Sequence, residues 1–140
     1  MATLGRAIAI AAAAHQAQLD KSGKAYILHP LRMMFKMATD EERMAAILHD
    51  VVEDSDWTLD GLRQEGFSEE VLLAVDSLTN RDGENYEQFI ERVKQNPLAI
   101  RVKIADLEDN MDMQRLSQFG EKEVERLKKY HRHWLELKRF

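Results

Sequence analysis

A histidine and an aspartate stand side by side in a stretch that is otherwise apolar, Ala45-Ala46-Ile47-Leu48-His49-Asp50-Val51-Val52. Burying an unpaired carboxylate is costly, so Asp50 must be paired, protonated or bound to a metal. One helical turn later come Glu53 and Asp54, four residues after His49 and Asp50 respectively, a spacing that stacks all four side chains along adjoining faces of one helix. A second apolar run, Leu98 to Leu107, is interrupted by Asp106, with Asn110 one turn beyond it, and His29 lies just before Pro30 at a helix mouth. Neutral imidazoles and carboxylates suit borderline divalent metals. Two histidines and two aspartates would leave positions open on a six-coordinate ion, where water is acidified and a phosphoryl oxygen is polarised. The same residues also read as a buried ion pair beside a satisfied core histidine, and the His-Asp dipeptide alone does not choose between the two. His15 reads as a histidine satisfied by a neighbouring helix. His131 and His133, among Lys128, Lys129 and Arg132, read as solvated, and Met33, Met34, Met37 and Met44 have the spacing of core residues.

The elements that must position these groups are helices. No stretch alternates with a period of two, and two prolines and six glycines leave few breaks. The alanine-rich start reads as a first helix from about Thr3 to Leu19, not as a signal peptide. A turn-rich Asp20-Lys21-Ser22-Gly23-Lys24 follows. Pro30 suits the first position of a second helix. Thr39-Asp40-Glu41-Glu42 has the pattern of a capping box opening a third helix that runs through Val52. Thr58 and Ser68 are N-cap candidates, with Gly66 as the stop between them. Asn85 to Asn96, Leu98 to about Ser117, and Glu121 to Lys138 complete an all-α chain. It is expected to form one domain, residues 1–140.

The composition narrows the function. Without cysteine there is no disulfide scaffold, thiolate zinc site or cysteine nucleophile, and a reducing, cytoplasmic setting is expected. A net charge of −5 provides no polycationic surface for duplex nucleic acid. It leaves room for a small phosphorylated ligand whose charge a metal offsets. No apolar run reaches the ~18 residues of a membrane span, so no membrane partner is expected. The oligomeric state is left open.

The order of these motifs resembles the HD superfamily of metal-dependent phosphohydrolases, and within it the hydrolase domain of RelA/SpoT-type alarmone enzymes and small alarmone hydrolases. The resemblance rests on Ala14-His15-Gln16-Ala17-Gln18 with Lys21-Ser22-Gly23, on Tyr26-Ile27-Leu28-His29-Pro30, on Ala45 to Asp54, and on Val102-Lys103-Ile104-Ala105-Asp106 with Asn110-Met111. It implies a compact helical HD-domain fold with a metal site between helices. It also implies metal ligands His29, His49, Asp50 and Asp106, with manganese as the usual ion. Glu53 and Asp54 match the pair that positions or deprotonates the attacking water, and Lys21 and Asn110 match substrate-contacting positions. The implied reaction is release of pyrophosphate from the 3′ position of (p)ppGpp. Alternatives are another phosphorylated nucleotide or cofactor as substrate, or a non-catalytic nucleotide-binding module. Three cations usual in the family are replaced, by Asp20, Leu107 and Asp112. Lys24, Arg81 and Lys103 are candidates to compensate.

Overall fold

The computed structural model describes residues 1–140 and contains nine α-helices, one 3-10 turn and no sheet. The helices are α1 (Leu4–Ala14), α2 (Leu28–Phe35), α3 (Asp40–Leu48), α4 (Val51–Asp54), α5 (Leu59–Gln64), α6 (Glu69–Ser77), α7 (Tyr86–Val93), α8 (Pro97–Asn110) and α9 (Glu121–Leu137). Only an isolated bridge, Leu19 with Ala25, has extended pairing. No helix is long and apolar enough to cross a membrane.

Helix starts follow local chemistry. Thr39 and Glu42 form the expected capping box, and Thr58 and Ser68 each accept a backbone N–H of the helix they open. Asn85 and Asn96 do the same for α7 and α8. Gly66 stops the chain after α5 at a φ of +100°, a conformation that side chains with a Cβ resist. Pro30 lies two residues inside α2 rather than at its first position. The site still tolerates it, because every N–H of the first turn lacks a helical partner.

Four helix ends differ from the pattern in the sequence; α7 stops at Val93, three residues short of Asn96. The first helix stops at Ala14, where His15 turns inward and Gln18 N–H bonds the His15 carbonyl at 3.0 Å. The third stops at Leu48. His49 Nδ1 donates to the Ala46 carbonyl at 2.7 Å, the acceptor that Asp50 N–H would use in a continuous helix. The chain restarts as α4 at Val51, so His49, Asp50, Glu53 and Asp54 do not share one helix as their spacing suggests. The eighth stops at Asn110 instead of near Ser117, because Asp112 caps a 3-10 turn (Met113–Arg115). Arg115 from that turn reaches back to the Asp109 carbonyl at 2.7 Å.

Helix α3 is the hub. Met44, Ile47 and Leu48 pack with α1, α5 and α6 in one apolar cluster, while Ala45 and Ala46 join the other, built on α7, α8 and α9. Only the second half of α3, Met44 to Leu48, is apolar all round, and it is that half which is buried on every side. Met33, Met34 and Met44 are in these cores and Met37 packs against them, as their spacing predicts. His133 is a correction. It is fully buried, packed on the Tyr86 ring at 4.9 Å, and its two ring nitrogens face Glu87 and Glu136. His131, its neighbour but one, is exposed.

Candidate active site

Helices α2, α3 and α8 meet where the α3–α4 break opens the fold. There His29, His49 and Asp106 converge, with one ligand atom of each within 4.8 Å of the others. All three residues are buried. His29 bridges two aspartates of α8, with Nε2 2.8 Å from Asp106 Oδ1 and Nδ1 2.6 Å from Asp109 Oδ2. Asp109 is itself clamped by Arg32 at 2.7 and 3.0 Å. The His49 Nδ1 contact with Ala46 turns its Nε2 toward Asp50, 3.1 Å away. Both imidazoles are therefore held from behind through Nδ1 and aim Nε2 inward, which is how ligating histidines are held.

Asp50 stands apart from the other three residues expected as ligands. Its carboxylate lies against His49 but is engaged by the Tyr26 hydroxyl. Asn110 donates to Asp106 Oδ1 at 3.1 Å, beside the cluster. Lys103 Nζ holds the other Asp106 oxygen at 2.7 Å from within the same helix.

The electrostatics follow from burial opposed by close partners. Burial disfavours a charged His29, but the bonds to Asp106 and Asp109 win and push its pKa up to about 9. Burial likewise disfavours an ionised Asp50, yet His49 draws it down to about 2. Against still stronger desolvation, Lys103 and His29 hold Asp106 well below the ordinary carboxylate range. Tyr26 moves up, through burial first and the Asp50 charge second, so it remains a hydrogen-bond donor.

Two members of the cluster, His29 and Asp106, line a cavity of about 620 Å³, and His49 lies behind its wall. Lys21, Glu53, Asp50 and Asn110 line it too. Glu53 is held by the backbone and side-chain N–H groups of Asn80, at 2.7 and 3.0 Å. Asp54 is outside the lining, bonded at 3.1 Å to Gln18, which is part of it. Five cations, Lys21, Arg32, Lys103, Arg115 and Arg126, face six carboxylates from Asp20, Asp50, Glu53, Asp106, Asp109 and Asp112.

Arg32, Asp109, Arg115 and Arg126 were not legible as site residues, although Asp109 follows Asp106 by three and Arg32 follows His29 by three, which is one helix face in each case. The three replaced cations have local uses. Asp20 accepts Ser22 and Lys24 N–H in the tight turn, Leu107 is fully buried in the core, and Asp112 caps the 3-10 turn. Of the candidate substitutes, Lys103 reaches the cavity, whereas Arg81 pairs with Asp76 at 3.1 Å and Lys24 is exposed away from it.

Comparison with protein-family models finds no match. Among curated proteins, the chain is 34% identical over 118 residues to the guanosine-3′,5′-bis(diphosphate) 3′-pyrophosphohydrolase of Aquifex aeolicus, covering 76% of this chain and 17% of that protein. It is 33% identical over 122 residues to the bifunctional (p)ppGpp synthase/hydrolase SpoT of Escherichia coli, covering 77% and 17%. It is 35% identical over 119 residues to a probable GTP pyrophosphokinase of Mycobacterium leprae, covering 76% and 15%. The chain thus spans about a sixth of the length of these relatives. Among solved structures, a metazoan ortholog of SpoT described as hydrolysing ppGpp superposes with a TM-score of 0.80 at 22% identity, over 98% of this chain and 85% of that one. In sequence over three quarters of its length, and in fold over nearly all of it, the chain resembles the hydrolase domain of RelA/SpoT-type enzymes.

Proposed function

We propose that the chain is a metal-dependent phosphohydrolase that removes pyrophosphate from the 3′ position of guanosine polyphosphates. The observation that carries this reading is the convergence of His29, His49 and Asp106 at a polar cavity large enough for a nucleotide. The curated relatives support the substrate class, and the fold neighbour favours hydrolysis over synthesis.

The donor set fits a divalent ion. Two Nε2 atoms and Asp106 converge, both Nδ1 atoms are already engaged, and Asp50, beside His49 but outside the cluster, would complete an N₂O₂ set on turning inward. Manganese is the proposed ion on the resemblance to the family, where it is usual; mixed imidazole and carboxylate ligands suit several divalent ions. When bound, such an ion polarises phosphoryl oxygens and acidifies water. It also adds positive charge to a cavity in which five lysine and arginine cations and the protonated His29 together balance six carboxylates.

The chain's own residues supply the rest. Lys21, Arg126, Arg115 and Asn110 offer donors to phosphate oxygens around the cavity. Glu53 and Asp54, one turn past the break, orient the attacking water and take its proton. The water oxygen bonds to the phosphorus carried by the 3′ oxygen, the bond between that phosphorus and the 3′ oxygen breaks, and GDP or GTP leaves with pyrophosphate. A cytoplasmic location accords with such a substrate.

The test is a product analysis of the manganese-loaded protein on ppGpp, pppGpp, ppApp and NADPH. Pyrophosphate with GDP or GTP is expected from the first two. In Glu53→Gln and Asp54→Asn, turnover should fall by about 10²–10⁴ while metal content stays near one equivalent. Hydrolysis confined to ppApp or NADPH would overturn the substrate. Near-wild-type turnover in both variants would remove these acids from the chemistry.

A further inference from the structure

We propose that His15 and Gln18 form a positioning chain that holds Asp54 in its working orientation. The proposal rests on the reading of Asp54 as an acid that directs the attacking water. Gln18 is the one side chain that hydrogen-bonds the Asp54 carboxylate, through Nε2 at 3.1 Å. Its other end, Oε1, lies 2.8 Å from His15 Nδ1.

The direction of the chain is dictated by chemistry. A carboxylate only accepts, so the amide nitrogen of Gln18 must face Asp54 and its oxygen must face the histidine. His15 must then carry its proton on Nδ1. The main chain fixes Gln18 on both sides: its N–H bonds the His15 carbonyl at 3.0 Å, and its carbonyl accepts Tyr26 N–H at 2.9 Å. The same loop thus delivers Gln18 to Asp54 and Tyr26 to Asp50.

Packing on the Tyr26 ring, 4.8 Å away between centroids, does not by itself account for His15. The residue is 1% exposed, and its Nε2 is buried without a partner. Burying an unsatisfied ring nitrogen is unfavourable, and an apolar side chain would fill the space without that cost. The ring's one hydrogen bond is the one that orients Gln18; the same Nδ1 stands 3.9 Å from Asp54 Oδ2, too far for a bond of its own.

Ring nitrogen NMR of the wild-type protein should show His15 as the Nδ1–H tautomer. In His15→Leu, kcat on ppGpp should fall about ten- to a hundredfold, the scale of a small misplacement of a catalytic group, with KM and manganese content unchanged. His15→Asn should recover most of that loss, because its amide N–H stands where Nδ1–H stood. Gln18→Met, on the loop, should reproduce the loss in kcat and settles the matter if His15→Leu does not fold. An Nε2–H tautomer, or wild-type kcat in folded His15→Leu and Gln18→Met while Asp54→Asn is inactive, would overturn the chain alone. Near-wild-type turnover in Asp54→Asn would overturn the reading beneath it, and the role of His15 with it.

Discussion

Two apolar segments of this protein carry embedded charges, and they handle them in opposite ways. Helix α8 runs unbroken through Lys103, Asp106 and Asp109, all buried. The segment around His49 and Asp50 breaks between α3 and α4. In α8 the charges are neutralised sideways: Lys103 holds Asp106 within one helix face, and His29 and Arg32 from α2 hold Asp106 and Asp109. In the other segment, the histidine ring takes a backbone acceptor from its own helix and so ends it. The break leaves Asp50 about a quarter exposed, with a side-chain exposure of 23% against 11% for Asp106. One segment is thus a rigid acidic wall, and the other an opening through which acids reach the cavity.

If this contrast is right, removing a neutralising partner should hurt α8 far more than the break. Lys103→Met leaves Asp106 buried with fewer counterions, beside rings of Tyr86 and Phe89 that the ammonium now faces at 5.5 and 5.2 Å. In chelator, it should destabilise the fold by about 3–5 kcal/mol, the usual cost of breaking a buried ion pair, as measured by urea unfolding. Asp50→Asn, by contrast, should cost about 1 kcal/mol, since it loses one partly exposed charge and keeps an acceptor for Tyr26. Equal losses in the two variants would erase the distinction.

A subtler probe is pH. His29 of the metal-free protein keeps its proton up to about 9, whereas an unfolded-chain histidine titrates near about 6.5. The folded state binds this proton more tightly, so the His29 contribution to stability is complete below about pH 6.5 and is lost as pH rises toward that folded value. Melting temperature in chelator should decline across this window. On the proposed ligand set a divalent ion needs His29 deprotonated, so its apparent affinity should rise over the same range. A flat melting profile in chelator would mean that α2 and α8 are not bridged by an imidazolium. A comparably small effect is expected at the other end of α3: Thr39→Ala removes its side-chain cap and should cost about 1 kcal/mol, with metal affinity unchanged.

Helix starts were legible because they are written locally. A threonine, serine or asparagine caps the backbone within three residues of itself, and those at 39, 58, 68, 85 and 96 all do so. Helix ends were less legible, because their causes lie in side chains that turn back on the backbone: His49 on Ala46, Arg115 on Asp109. Residue type betrayed His29, His49 and Asp106, since each interrupts an apolar run or opens a helix. Arg32, Arg115 and Arg126 look like any surface arginine until α2, the 3-10 turn and α9 bring them to one cavity.

By itself, the sequence determined that the chain is all-helical, where most of its helices begin, and which polar residues had to find partners inside it. Those are consequences of periodicity, capping and the cost of burying charge, all properties of short stretches of chain. Only the tertiary structure decided the partners: that Asp109 stands behind His29, that Asp50 turns to Tyr26, that His133 is buried, and that Gln18 reaches Asp54. Each of these contacts joins residues from different elements or depends on how α9 packs, and no local preference encodes a meeting set by the packing of helices far apart in the chain.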